Sequence, residues 1–213
     1  MEIRSFRKEL RTTSENGLQI SGYAAVFYDP ADSGTQFMLD EDIAERIMPG
    51  AFDRALKERQ DIVGLFNHDA DNVLGRTSAG TMHLTVDSKG LRYDITLADT
   101  QYARDLSASI SRGDIAGSSF SFVPTRQSWS EDPLTGLVIR EIQDVNLIDV
   151  GPVTFPAYES TETESYARSQ DRNAARKEAQ QVRKQRFQPQ RDAMAALLSS
   201  LRSEEHTSEL QSR

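Results

Sequence analysis

The sequence predicts a β-rich α+β fold: a compact barrel or strongly bent sheet with a few outer helices, followed by a helix-prone C-terminal tail. Three observations predict it. Short apolar runs with period-two alternation recur through the first 158 residues, punctuated by turn signals. Helical spacing is confined to two segments of that body. Near Glu159 the composition changes to a polar stretch and then to one rich in Ala, Gln, Arg and Lys. The expected organisation is a domain over 1–158, a polar linker and basic tail over 159–201, and a separate end over 202–213.

In chain order, "LQISGYAAVFY" (Leu18 to Tyr28) reads as a strand with Gly22 inside it. "ERIMPGAFDRAL" (Glu45 to Leu56) reads as a short helix entered through Pro49 and Gly50. "IVGLFNHD" is an apolar run with a polar end. "TMHLTV" and "LRYDITL" both alternate around the turn "DSKG", which predicts a hairpin. "TQYARDLSASISRGD" carries helical spacing through Tyr102, Leu106 and Ile110, with Thr100 as N-cap and Gly113 as stop. "IAGSSFSFV" is the next strand, and "GLVIREIQDVNLIDVGPV" is one long strand or two broken near Gly151.

The tail differs in kind. "ESTETESYARSQ" is a polar linker, and Asp171 to Arg186 is made mostly of good helix formers with few large apolar residues. A helix polar all round has no core of its own to join, so this segment is expected to be weakly ordered alone and helical when engaged. Pro189 interrupts, and "DAMAALLSSL" can form one short amphipathic helix. "RSEEHTSELQS" (Arg202 to Ser212) resembles the in-frame translation of a sequencing-library adapter, so 202–213 is set aside as a non-native scar and His206 carries no functional weight.

Composition narrows the function. With no cysteine, a disulfide scaffold, thiolate metal sites and cysteine nucleophiles are excluded together. No apolar h-region opens the chain and no run reaches the roughly 18 residues of a membrane span, which predicts a soluble, cytoplasmic protein. Met1 to Ala167 holds 15 Lys and Arg against 27 Asp and Glu, whereas Arg168 to Asp192 holds 8 against 3. An acidic body argues against nucleic acid as the main partner.

Alternation places Ser119 and Ser121 on one face of their strand and Phe120 and Phe122 on the other. The serines either face water or present a hydroxyl to chemistry, and a serine needs a base to become a nucleophile. The body offers two histidines. In "TMHLTV", Met82, Leu84 and Val86 share the buried face, so His83 points to solvent. His68, at the polar end of its run, is either exposed or the base, and an imidazole suits that work near neutral pH. Asp149 is a lone carboxylate inside "VNLIDVGPV". It is either a structural acid or the group that orients the imidazole.

The segments "IMPGAF", "NHD" with "LGR", "DSKGL", "GDIAGSSFSF" and "VGPVTFPAY" resemble, in order and spacing, those of the tailed-phage prohead proteases, a family related to the herpesvirus assemblins. The resemblance spans about Phe6 to Tyr158 and implies an assemblin-like fold. Carried across, the family's histidine falls on His68 and its nucleophile, in a segment like Gly-x-Ser-Phe-Gly-Phe, on Ser119. Ser121 stands where the family has glycine, and Ser118 occupies a variable position. The third member, most often glutamate, falls on Asp149, and glutamate there is expected to serve as well. The implied protein is a serine endopeptidase without cofactor or metal, packaged in the immature capsid in the host cytoplasm. Its implied partners are the major capsid protein with its scaffold segment, which it cleaves along with itself. Self-association is open to it, and neither nucleic acid nor membrane is implied. Two rivals are an inactive scaffold or assembly chaperone of the same fold, and an esterase. The latter expects a strand–turn–helix Gly-x-Ser-x-Gly elbow, which Ser119 lacks.

Overall fold

The computed structural model describes residues 1–6, 9–13, 18–156, 171–186, 188–189 and 192. The expected linker, the 202–213 end and, apart from Asp192, the short amphipathic helix lie outside them. Among the described residues eleven strands form two sheets, with two α-helices in the body and a third in the tail. The strands are β1 (Glu2–Phe6), β2 (Arg11–Thr12), β3 (Gln19–Val26), β4 (Gln36–Asp40), β5 (Ile43–Ile47), β6 (Val63–Leu65), β7 (Val73–Arg76), β8 (Met82–Val86), β9 (Gly90–Thr96), β10 (Gly117–Glu131) and β11 (Val138–Val153). The body helices are α1 (Asp53–Lys57) and α2 (Gln101–Arg112).

The larger sheet runs β1-β10-β11-β5-β4, with β6 on β11 and β7 on β6; the smaller runs β2-β3-β9-β8. The expected hairpin is β8–β9, antiparallel from Met82↔Ile95 to Val86↔Leu91, and His83 is exposed as its alternation requires. Helix α2 begins at Thr100, whose hydroxyl accepts from the Ala103 N–H, and stops at Gly113. Its buried face is Ala103, Leu106, Ser107 and Ile110, while Tyr102 is exposed. "GLVIREIQDVNLIDVGPV" is one strand, unbroken at Gly151.

One expected helix is corrected at its start. Glu45 to Ile47 belong to β5, which pairs in parallel with β11 from Val138↔Ile43 to Ile142↔Ile47. Glu45 and Ile47, two apart and so on one face of the strand, are both buried where a helix would have begun. The helix proper is only Asp53–Lys57, beyond the Pro49–Gly50 turn.

The core lies between the sheets. Phe120 stacks on Phe122 at 4.8 Å and on Phe6 at 6.3 Å, and meets the edge of Phe52 at 5.6 Å. Ser118 shares this face, bonded at 2.8 Å to the Tyr93 hydroxyl, and Gly22 leaves the room for that pair. Burial pushes the Tyr93 phenol well above its ordinary range.

The tail helix, α3 (171–186), does join a core, contrary to the expectation for a helix polar all round. Ala175 and Ala179, four apart and so on one face, are buried against Leu39, Ile43 and Val138, with Phe37 and Trp129 alongside. Around this narrow stripe Arg176 pairs with Asp40, Arg183 with Asp42, and Arg186 with Glu131. The basic tail thus neutralises part of the acidic body, which a search for large apolar residues overlooks.

Candidate active site

Three strands deliver the side chains. Ser119 lies on β10 between β1 and β11, opposite Ser5 on one side and Gly151 on the other. Asp149 lies on β11, opposite Ser121. His68 follows β6, which pairs with β11 through Asp149↔Val63 and Val150↔Gly64 and so brings its polar end to the same place.

A bulge aims the carboxylate. Ser121 pairs with Asp149 but the next residue, Phe122, pairs with Leu147, leaving Ile148 as an extra residue on β11. Without it, Leu147 and Asp149 would share a face by alternation. With it, Leu147 stays in the core beside Phe122 while Asp149 turns to the serine face. His68 is placed by its backbone: Asn67 and His68 have φ of 54° and 57°, in the left-handed region, where Asn and His are among the more tolerant residues. Asn67 is anchored at both ends, its N–H donating to the Pro152 carbonyl at 3.0 Å and its side-chain oxygen accepting from the Thr154 N–H at 2.8 Å.

The three candidate residues converge. His68 Nδ1 is 2.5 Å from Asp149 Oδ1, and His68 Nε2 is 2.6 Å from Ser119 Oγ. The carboxylate at Nδ1 assigns the neutral imidazole's proton to that nitrogen and leaves Nε2 as an acceptor. Of the two alternatives for the serines, facing water is excluded: Ser119 and Ser121 are buried, and the His68 side chain is only 10% exposed.

Further groups complete the site, and the sequence pointed to only one of them. Ser121, on the same face as Ser119, donates to Asp149 Oδ2, so both carboxylate oxygens are held. Ser5 donates to Ser119 Oγ at 3.0 Å, and the Arg4 carbonyl is 2.9 Å from that oxygen. Ser119 has one proton and two acceptors, Nε2 and the Arg4 carbonyl. The hydroxyl therefore keeps a partner when His68 takes a proton and Nε2 becomes a donor. No local pattern in "EIRSF" singles out Ser5; only pairing with β10 does.

Strand β1 is held by buried charges. Arg4 Nε reaches Glu45 at 2.6 Å, Arg140 reaches Glu45 at 2.8 Å, and both arginines bond Glu2. Burial works to lower the Arg4 pKa, but the Glu45, Glu2 and Asp171 carboxylates, Glu45 foremost, together outweigh it and hold the guanidinium above its ordinary value. Asp171 of α3 stands 3.4 Å from the same guanidinium. Among the described residues no three His, Asp or Glu side chains form a metal site, and no helix is long and apolar enough to cross a membrane.

A sequence-family profile described as caudovirus prohead serine protease matches residues 5–176. The chain belongs to that family. Prohead serine proteases thus supply the frame for this site, and the match extends through the body into the first turns of α3. Among solved structures, that of the bacteriophage T4 capsid assembly protease, gp21, aligns at 13% identity with a TM-score of 0.44, covering 71% of this chain and 96% of the other. No curated protein matches.

Proposed function

We propose that this prohead protease is a serine endopeptidase of capsid maturation, with Ser119 as nucleophile, His68 as general base and Asp149 as the group orienting the imidazole. The observation that carries the reading is the pair of contacts Asp149 Oδ1–His68 Nδ1 at 2.5 Å and His68 Nε2–Ser119 Oγ at 2.6 Å, in a member of this family. His68 takes the Ser119 proton as Oγ attacks the scissile carbonyl, then gives it to the leaving amine; water hydrolyses the acyl-enzyme by the same route. Asp149 holds the Nδ1–H tautomer and stabilises the imidazolium.

The substrates in this reading are the scaffold portion of the major capsid protein and the chain itself, cleaved inside the immature shell in the host cell. The protease domain is 1–158, with 159–201 as tail and 202–213 as scar. Incubating the chain with its cognate capsid protein and mass-mapping the products tests it. Cleavage by wild type and none by Ser119→Ala is the expected result. Intact capsid protein with both would favour the inactive assembly chaperone.

A further inference from the structure

We propose that Ser5 is a catalytic residue: its hydroxyl donates to Ser119 Oγ and stabilises the negative charge that builds there during attack. This rests on the serine-protease reading above. Three observations carry it. Ser5 and Ser119 are direct cross-strand partners in an antiparallel pair, where two short side chains meet without strain. The Ser5 hydroxyl is 3.0 Å from Ser119 Oγ, with Ser5 as donor. Ser5 is buried at 8% exposure, so little water competes for the bond. The preceding residue, Arg4, is fixed by Glu2 and Glu45, which sets the position of Ser5 before any substrate arrives.

The chemistry follows from proton counting. In the resting site the Ser119 hydroxyl donates a hydrogen bond to His68 Nε2 or to the Arg4 carbonyl and accepts one from the Ser5 hydroxyl. As the Oγ–C bond forms, the Ser119 proton passes to Nε2, the scissile C–N bond breaks, and the amine leaves with that proton. Ser5 keeps its own proton throughout. Its hydrogen bond strengthens as Oγ acquires charge, and an interaction stronger in the transition state than in the ground state accelerates the step.

The test uses the full chain and a fluorophosphonate, which needs no knowledge of the natural cleavage site. There the Oγ–P bond forms, P–F breaks, and fluoride departs while His68 holds the serine proton. Wild type is expected to be modified at Ser119, and Ser119→Ala not at all. Ser5→Ala should react about tenfold more slowly, the range expected for a lost hydrogen bond to a charged oxygen, with its melting temperature little changed. Ser5→Thr, which keeps the hydroxyl, should react within about threefold of wild type on the same reasoning. Should Ser5→Ala fail to fold, Ser5→Cys offers a weaker donor of similar size and is expected to be slow. Wild-type rates in these donor-poor variants, or a Ser5→Thr as slow as Ser5→Ala, would overturn the role of Ser5 alone. A wild type left unmodified overturns the serine-protease reading and this role with it.

Discussion

The carbonyl oxygen of Leu65 rests against the Cα of Gly151, where an added β-carbon would lie 1.9 Å away. This contact lets β6 close onto β11, and β6 leads directly to His68. Gly151 also faces Ser119 across β10 and β11, so one bare backbone position sets the spacing of base and nucleophile.

Gly151→Ala must push the two backbones apart, and neither is the free end of a side chain. The expected loss is about 3 kcal/mol of stability, at the upper end for overpacking, together with loss of proteolysis. Urea unfolding and capsid-protein cleavage on one preparation check it. A variant as stable and active as wild type would show that β6 is not fixed there.

The adjacent serines separate by face. Ser119→Ala is expected to lower kcat by on the order of 10⁴ to 10⁶. Ser118→Ala should stay active, because Ser118 points to the core and bonds Tyr93. Its effect is on stability, about 1–3 kcal/mol for the buried phenol left without its partner. If Ser118→Ala is the dead variant, the faces are reversed. His68→Ala should be inactive and His83→Ala, an exposed position, unchanged.

What was legible in the sequence was local. The β8–β9 hairpin, helix α2 with both its caps, and the faces of Ser119 and Phe120 follow from periodicity and turn chemistry within a dozen residues. Locally, His68 and Asp149 stand out only as residues with two readings each, and it is the resemblance to the prohead proteases that assigns them roles. Contacts made across the chain were not legible. Ser5 and the Arg4 carbonyl reach Ser119 only because β1 pairs with β10. Residues 45–47 form a strand because β11 lies alongside, and α3 has a core to join because two alanines fit a surface built from β4, β5 and β11.

Asp149 tests how closely the site is fitted. Asp149→Asn should keep the fold and lower kcat by about 10⁴, as a neutral amide favours the wrong imidazole tautomer. The geometry revises the expectation for glutamate. Ser121 lies directly across from Asp149 and donates to its second oxygen, so a longer side chain has that hydroxyl in its way. Asp149→Glu is expected to lose activity and Asp149→Glu with Ser121→Gly to regain part of it. Steady-state kcat for the set checks this, and a fully active Asp149→Glu would show that the pocket has slack.

The docking of α3 carries a pH signature. Burial raises the Asp171 pKa above the ordinary aspartate value, with the Arg4 charge opposing this only in part. A carboxyl whose folded pKa is raised binds its proton more tightly in the folded state. Its contribution is most favourable at low pH and is lost as pH rises through the folded pKa. Asp171→Asn removes that titration. Relative to wild type, the variant should therefore be stabilised at neutral pH, and the gain should shrink as pH falls through the carboxyl range and vanish below about 3.8. Melting temperatures of both chains across pH 3–8, with trypsin susceptibility of residues 171–186 as a local readout, measure the difference. Were the ion pair with Arg4 the dominant influence, the sign would invert, and Asp171→Asn would melt lower than wild type at neutral pH with α3 cut faster.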